Sequence, residues 1–207
     1  MKDRKYIIMK YKLFVVILFL NCINIFGQKE LEIKIISDLI IELFPQKPND
    51  TIYNRKGKIK KIRSFQKPQI VLITETDTSH RYHPYSFEYF KEYLKSIDSV
   101  THSDFLSNNK TILTIDSIHG FDGNITYLTN SEVRQIFDKR SWTAYHKQYG
   151  YNPLVRISRP GINTNKNLAL AYCSWTSDEL AGIGIFLILE KVNEIWIGKE
   201  WLLAWKS

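Results

Sequence analysis

Two apolar runs near the C-terminus constrain the fold more than any other feature of the chain. Residues 168–175 and 183–189 are rich in aliphatic and small side chains, and neither run alternates cleanly between apolar and polar residues. Such short runs suit strands better than helices, and strands that are apolar on both faces are covered on both sides of a sheet. We therefore predict two central strands, which form an antiparallel meander with a third strand over 195–205.

The residues between and after these runs favour the same arrangement. A polar connection at 191–194 separates the second and third strands, and Asn193 is the best candidate for a left-handed backbone conformation there. Gly198 predicts a β-bulge in the third strand. Gly182 and Gly184 predict a close approach of an aromatic ring or a helix to the backbone, because neither residue has a side chain.

The last third of the chain also carries a pattern of aromatic residues and glycines. The pattern comprises Trp142, Tyr149, Ser158-x-x-Gly161, Gly182-x-Gly184, Trp196 and the closing Trp205-Lys206-Ser207. It resembles a group of uncharacterised small exported proteins of Bacteroidetes. The resemblance implies export and a fold, and it implies no activity.

The first 27 residues have the order of a secretory signal peptide. Basic residues precede an apolar stretch at 13–20, and Gly27 is small enough to stand before a cleavage site. The apolar stretch is shorter than the ~20 residues of a membrane-spanning helix. We expect a single mature domain over 28–207, without a transmembrane helix, that is periplasmic, on the outer surface or secreted. A lipoprotein signal on Cys22 and an uncleaved anchor are the alternatives.

Removal of this segment changes the charge and the cysteine content. The whole chain carries +8, of which residues 1–27 supply +4 through five Lys or Arg and one Asp, so residues 28–207 keep +4. This charge is too small to indicate a nucleic-acid partner. Cys173 is then the only cysteine, so it cannot form an internal disulfide, and its apolar strand is typical of a buried thiol.

One basic cluster stands out within the mature chain. Its six residues are Arg55, Lys56, Lys58, Lys60, Lys61 and Arg63. Such a cluster forms either a patch for an anionic partner or membrane surface, or a solvated loop or edge strand on which lysines discourage edge-to-edge pairing.

Helical periodicity dominates the chain before Gly150. Apolar stripes predict helices over 30–44 and 86–99, and Thr129-Asn130-Ser131-Glu132 matches a capping box at the start of a third helix. A strand is predicted over 69–74, and Asp122-Gly123 predicts a hairpin turn. The predicted fold is α+β, with N-terminal helices packed on a curved antiparallel sheet that ends in the three-stranded meander.

The sequence carries none of the common catalytic motifs. There is no nucleophile elbow, phosphate-binding loop, dinucleotide fingerprint or Cys-x-x-Cys. His80-x-x-His83 has a metal-compatible spacing but lacks a recognisable third ligand, so no metal or other cofactor is predicted. Two compact polar clusters, Asp178-Glu179 and Asp116 with His119 and Asp122, fall in predicted turns, and no catalytic residue is assigned.

The candidate ligand-binding residues are aromatic. Trp142, Tyr145 and Tyr149 share one helical face, and the small side chains of Ala169, Ala171 and Cys173 share one strand face. These two faces either interdigitate as core or leave a cleft. The cleft hypothesis assigns ligand binding to Trp142, Tyr145, Tyr149, Tyr172 and Trp175.

The sequence therefore favours an exported, non-catalytic binding or interaction module for a small apolar or peptide-like ligand or a protein partner. Two other functions remain open: a small hydrolase-type enzyme with a carboxylate and histidine site, and an immunity- or inhibitor-type protein.

Overall fold

The computed structural model describes residues 27–45, 47–53, 59–78, 86–139 and 141–207, with the backbone alone described for 47–53, 59–66 and 139. The helices are α1 (27–43), α2 (Phe87–Tyr93), α3 (Ser99–Asn108), α4 (Asn130–Lys139) and α5 (Ser141–Tyr149). The strands are β1 (Lys47–Tyr53), β2 (Ile59–Gln66), β3 (Gln69–Ile73), β4 (Asn124–Leu128), β5 (Leu154–Ile157), β6 (Gly161–Ile162), β7 (Leu168–Asp178), β8 (Ala181–Val192) and β9 (Ile195–Lys206).

Seven of these strands form one sheet. Its order is β4-β3-β5-β7-β8-β9, with β6 paired to β7, while β1 and β2 pair in a separate two-stranded sheet. The α+β class and the C-terminal three-stranded meander are confirmed. The large sheet is mixed, because β3 runs parallel to both β4 and β5.

Local chemistry shapes the meander as the sequence indicates. Asn193 has a φ of 49° and Glu194 a φ of 65°, so both residues of the β8–β9 turn are left-handed, which matches the twist of a tight hairpin. The register passes from Ile188 opposite Glu200 to Leu189 opposite Gly198, which leaves Lys199 as the extra residue of a bulge beside the glycine.

The hairpin predicted at Asp122-Gly123 is wrong. Gly123 does not have a positive φ, and Asn124–Leu128 pairs in parallel with β3. The glycine serves a close approach of two backbones, because a Cβ there would lie 2.5 Å from the carbonyl oxygen of Pro68. Asn124 N donates to that same oxygen at 2.9 Å, which starts the parallel pairing.

The helix predicted over 86–99 is also shorter than expected. It ends at Tyr93, and a separate helix, α3, begins at Ser99. Leu94 and Ile97 stay buried after the chain leaves the helix, so the apolar spacing continues without helical backbone. Asp98 caps α3 by accepting a hydrogen bond from Thr101 N at 2.7 Å, a start signal that the apolar spacing obscured.

Other helix boundaries agree with the sequence. The capping box of α4 forms, since Glu132 Oε2 accepts from Thr129 N at 2.7 Å and Thr129 Oγ1 accepts from Glu132 N at 3.2 Å. Gly150, with a φ of 65°, ends α5 and donates its N–H to the carbonyl of His146.

Each face of the large sheet has its own helices. α1 covers one face and buries Ile35, Ile36, Leu39 and Ile40 against the sheet. On the other face, α2 and α3 pack on β7 and β8, and α4 and α5 pack near β3, β4 and β5. Within the residues that the structure describes, no helix is both long and apolar enough to cross a membrane.

A buried ion pair holds α1 in place. Glu32 in α1 has no solvent exposure, and Arg159, just after β5, binds both of its carboxylate oxygens at 2.8 and 2.9 Å. Two parallel charge-assisted hydrogen bonds of this kind fix the direction as well as the distance between the partners.

Truncation of this pair should destabilise the protein strongly. Glu32→Ala leaves the Arg159 guanidinium without its carboxylate in a largely buried position, and we expect a loss of about 3–5 kcal/mol in the free energy of unfolding. The exposed Glu30 in the same helix provides the control, since Glu30→Ala should change stability by less than about 0.5 kcal/mol. Urea unfolding of both variants measures the difference, and equal midpoints would contradict this role for the pair.

Gly184 provides a second test of the packing. A Cβ at this position would lie 2.1 Å from Trp205 Nε1 and 2.5 Å from Tyr172 Oη. Gly184→Val should therefore lower the free energy of unfolding by about 1–3 kcal/mol through overpacking. The control is Ala181→Val at the exposed start of β8, which should leave the melting temperature nearly unchanged. An unchanged melting temperature for Gly184→Val would disprove the close approach.

Candidate functional site

Three of the sequence-predicted site residues lie together on α5. The ring centroids of Trp142 and Tyr145 are 5.3 Å apart, and those of Tyr145 and Tyr149 are 5.2 Å apart. Tyr145 is fully buried against β3 and β5, and its hydroxyl donates to the carbonyl of Asn152 at 2.8 Å. Burial also raises the pKa of Tyr145, so its hydroxyl stays neutral.

The other two predicted residues lie elsewhere. Tyr172 packs with Phe186 on the face covered by α2 and α3, and its hydroxyl accepts from Trp205 Nε1 at 2.7 Å. Trp175 points to the opposite face, where its ring meets Phe44 edge-on at 5.7 Å. Residues separated by three positions in a strand face opposite sides, which accounts for the split.

The prediction of a cleft between α5 and the small residues of β7 is therefore wrong, because these two surfaces do not face each other. Ala169, Ala171 and Cys173 face α1, and the neighbours of α5 are β3, β4 and β5. The five candidate residues are divided among three apolar clusters. Ligand binding by Trp142, Tyr145, Tyr149 and Tyr172 stays a prediction, and Trp175 alone among the five lines the cavity described next.

An open groove with a volume of about 600 Å³ lies beside Trp175. The end of α1, the residues on either side of Pro68, the segment before β5 and the end of β7 form its walls. Its lining residues are Leu43, Phe44, Pro45, Lys67, Pro68, Gln69, Tyr151, Asn152, Pro153, Trp175 and Ser177. We call this cavity the aromatic groove, because Phe44, Tyr151 and Trp175 provide three rings.

Backbone hydrogen bonds fix the walls of the aromatic groove. Phe44 N donates to Ile40 O at 3.0 Å, so Phe44 continues the hydrogen-bonding of α1 just before Pro45. The carbonyl of Pro153 accepts from Val71 N at 2.9 Å, and that of Pro68 accepts from Asn124 N at the same distance. Prolines at these positions have a fixed φ and need no hydrogen-bond acceptor, so they suit a rigid rim.

Tyr151 forms the exposed edge of the groove. Its side chain is 74% exposed, and its ring contacts that of His146 at a centroid distance of 4.3 Å and an interplanar angle of 36°. His146 Nε2 lies 2.8 Å from the carbonyl oxygen of Ser177. Because a carbonyl only accepts, Nε2 carries the hydrogen and donates it, which ties α5 to the end of β7.

The polar part of the lining is mostly neutral. Asn152 Nδ2 donates to Gln69 Oε1 at 3.3 Å, so two side-chain amides lie side by side. Lys67 is the only charged residue among the described lining residues, and it pairs with the exposed Asp122. The groove thus offers ring faces, amide donors and acceptors, and one cation, a composition suited to binding.

The candidate acid–base clusters do not converge in the described part of the chain. Asp116 pairs with Lys29 at 3.1 Å, Asp122 pairs with Lys67, and His119 contacts Ser117. Asp178 Oδ1 accepts from Glu179 N at 2.7 Å. The carboxylates of Asp116, Asp122 and Asp178 are thus engaged in separate contacts. Burial raises the pKa of the Cys173 thiol, which opposes formation of a thiolate nucleophile.

His80 and His83, the pair with metal-compatible spacing, lie outside the described residues. Across the ranges that the structure does describe, no group of three or more His, Cys, Asp or Glu side chains is placed to hold a metal ion.

Two of the three rings were missed by sequence reasoning. Phe44 is the last residue of the helix predicted over 30–44 and Tyr151 follows Gly150, so the sequence predicts a position at a helix end for each ring and no binding role. The Gly-Tyr-Asn-Pro order at 150–153 is the one local signal, because it places an aromatic residue in a turn, where burial is difficult.

Comparison of the chain with protein-family models, with curated proteins and with solved structures finds no match. The geometry of the aromatic groove is therefore the basis of the function proposed below.

Proposed function

We propose that this protein is an exported, non-catalytic binding module that holds an apolar or peptide-like ligand in the aromatic groove. The observation that carries the proposal is the convergence of Phe44, Tyr151 and Trp175, from three separate segments, on one concave surface. Aromatic rings bury a large apolar area and lose little conformational entropy on binding, which is why they dominate binding sites.

The polar groups of the groove support binding over catalysis. General acid–base catalysis needs titratable groups in mutual reach, with pKa values tuned to their tasks. The described lining residues include no Asp, Glu or His. The amides of Gln69 and Asn152 suit the hydrogen bonds of a peptide backbone, because each amide both donates and accepts.

Export is supported by the order of basic residues, apolar stretch and small residue in positions 1–27. We expect cleavage after Gly27, so that the mature protein begins at Gln28. Mass analysis of the N-terminus in the exported fraction measures this, and an intact Met1 or Met9 start in the membrane fraction would contradict it.

Binding is tested by selection from a phage-displayed library of random dodecapeptides on the purified protein. Trp175→Ala removes one ring from the groove wall, and we expect the Kd of selected peptides to rise at least tenfold, which is about 1.4 kcal/mol. Tyr151→Ala should also raise the Kd, because it removes a second ring of the groove. The ring is exposed, so its loss should not unfold the protein.

Trp201→Ala is the matched control. Trp201 is 67% exposed in β9 and does not line the groove, so its removal should leave the Kd within about twofold. Circular dichroism and melting temperatures establish that each variant is folded. If the library yields no binder, or if Trp175→Ala and Tyr151→Ala both bind like the wild type, the groove is not the binding site.

A further inference from the structure

The charge of the mature chain is concentrated in one segment. Residues 45–67 hold eight Lys or Arg and one Asp, a net charge of +7, whereas the rest of residues 28–207 sums to −3. The modest net charge of the mature protein is therefore the sum of one strongly basic segment and a slightly acidic remainder. Charge separated in this way steers partners of opposite sign.

The basic segment begins and ends at the aromatic groove. Pro45 and Lys67, its first and last residues, both line the groove. Between them, β1 and β2 pair antiparallel, with Lys47 opposite Gln66 and Ile52 opposite Lys61. Along the chain Lys47 is two residues from Pro45, and Lys60 in β2 is seven residues from Lys67, so at ~3.3 Å per residue the basic residues of both strands lie within about 23 Å of the groove. Arg55, Lys56 and Lys58 lie outside the described residues.

The groove itself favours negative over positive ligands. Lys67 is the one charge among its described lining residues, and its partner Asp122 is 59% exposed. An exposed ion pair contributes little to stability, so a ligand carboxylate can compete with Asp122 for Lys67. A positively charged ligand would meet no carboxylate in the lining.

We propose that the ligand of the aromatic groove is an acidic peptide in an extended conformation. This inference rests on the proposed function. One apolar or proline residue of the peptide fills the space between Phe44, Tyr151 and Trp175, and the carboxylates beside it pair with the basic strands. Aromatic-lined grooves commonly hold extended, proline-rich peptides, and clusters of basic residues commonly recognise acidic motifs.

The concave shape of the groove favours a peptide over a membrane surface. A protein that binds a lipid bilayer inserts apolar side chains into the membrane from an exposed, flat or convex surface. Here the rings of Phe44 and Trp175 are half-buried and meet edge-on, and two amides stand beside them. These features fit a single extended chain with a polar backbone.

The test compares the composition and the salt dependence of the selected dodecapeptides. We expect Asp and Glu to be enriched at least twofold over Lys and Arg relative to the unselected library. Binding should weaken at least tenfold between 50 and 500 mM NaCl, because exposed charge pairs are screened. The triple variant Lys60→Glu, Lys61→Glu, Arg63→Glu should raise the Kd at least tenfold and flatten this salt dependence.

A second triple variant controls for net charge. Lys110→Glu, Lys166→Glu and Lys206→Glu reverse three exposed charges outside the basic segment, so they should change the Kd less than threefold. Melting temperatures of both triple variants establish that they remain folded.

The outcomes separate this inference from the proposed function. If selected peptides need Trp175 but show no acidic enrichment and no response to the strand charges, the groove binds peptides and the acidic specificity is wrong. If no peptide is selected at all, both proposals fail. Phosphatidylglycerol vesicles that bind the protein through Lys60, Lys61 and Arg63, without competition from the peptides, would assign the basic strands to a membrane surface and overturn the inference.

Discussion

The bidentate pair between Glu32 and Arg159 is the contact on which the arrangement of this protein depends. The carboxylate has no solvent exposure, so its charge is tolerated only because the guanidinium binds both oxygens. Arg159 also joins α3 through its backbone, since its N–H donates to Asn109 Oδ1 and its carbonyl accepts from Asn109 Nδ2, both at 2.9 Å. One residue thus connects α1, the end of β5 and a helix on the opposite face.

The position of α1 in turn sets the aromatic groove. Glu32 anchors the first half of α1, and Asp38 and Glu42 anchor the second half by accepting hydrogen bonds from the N–H groups of Trp196 and Gly198 in β9. These bonds satisfy donors of an edge strand, which would otherwise be open to pairing with another chain. With both halves held, the end of α1 places Phe44 against Trp175, and the groove opens beside that contact.

The sequence predicts those features that depend on residues close together along the chain. It does not predict features that join residues distant along the chain. The meander follows from apolar runs and from turn residues such as Asn193, because these signals act over a few neighbours. The hairpin predicted at Gly123 is wrong because this glycine serves a close approach to Pro68, a residue 55 positions away along the chain. The aromatic groove combines Phe44, Tyr151 and Trp175, and no spacing rule relates residues from three separate segments. Trp175 was identified as a candidate for its aromatic character, and its partners emerged only from the fold.

The indole N–H signals of the five tryptophans test the central claim most directly, because each tryptophan reports on a different place in the fold. The measurement is a titration of ¹⁵N-labelled protein with a selected dodecapeptide, followed by NMR. The indole signal of Trp175 should shift in proportion to the fraction of protein that has bound the peptide. The signals of the buried Trp196 and the hydrogen-bonded Trp205 should not shift. A shift centred on Trp142 would return the site to α5, and a shift centred on Trp201 would place it on the edge strand. Either result, with Trp175 unchanged, would contradict binding in the aromatic groove.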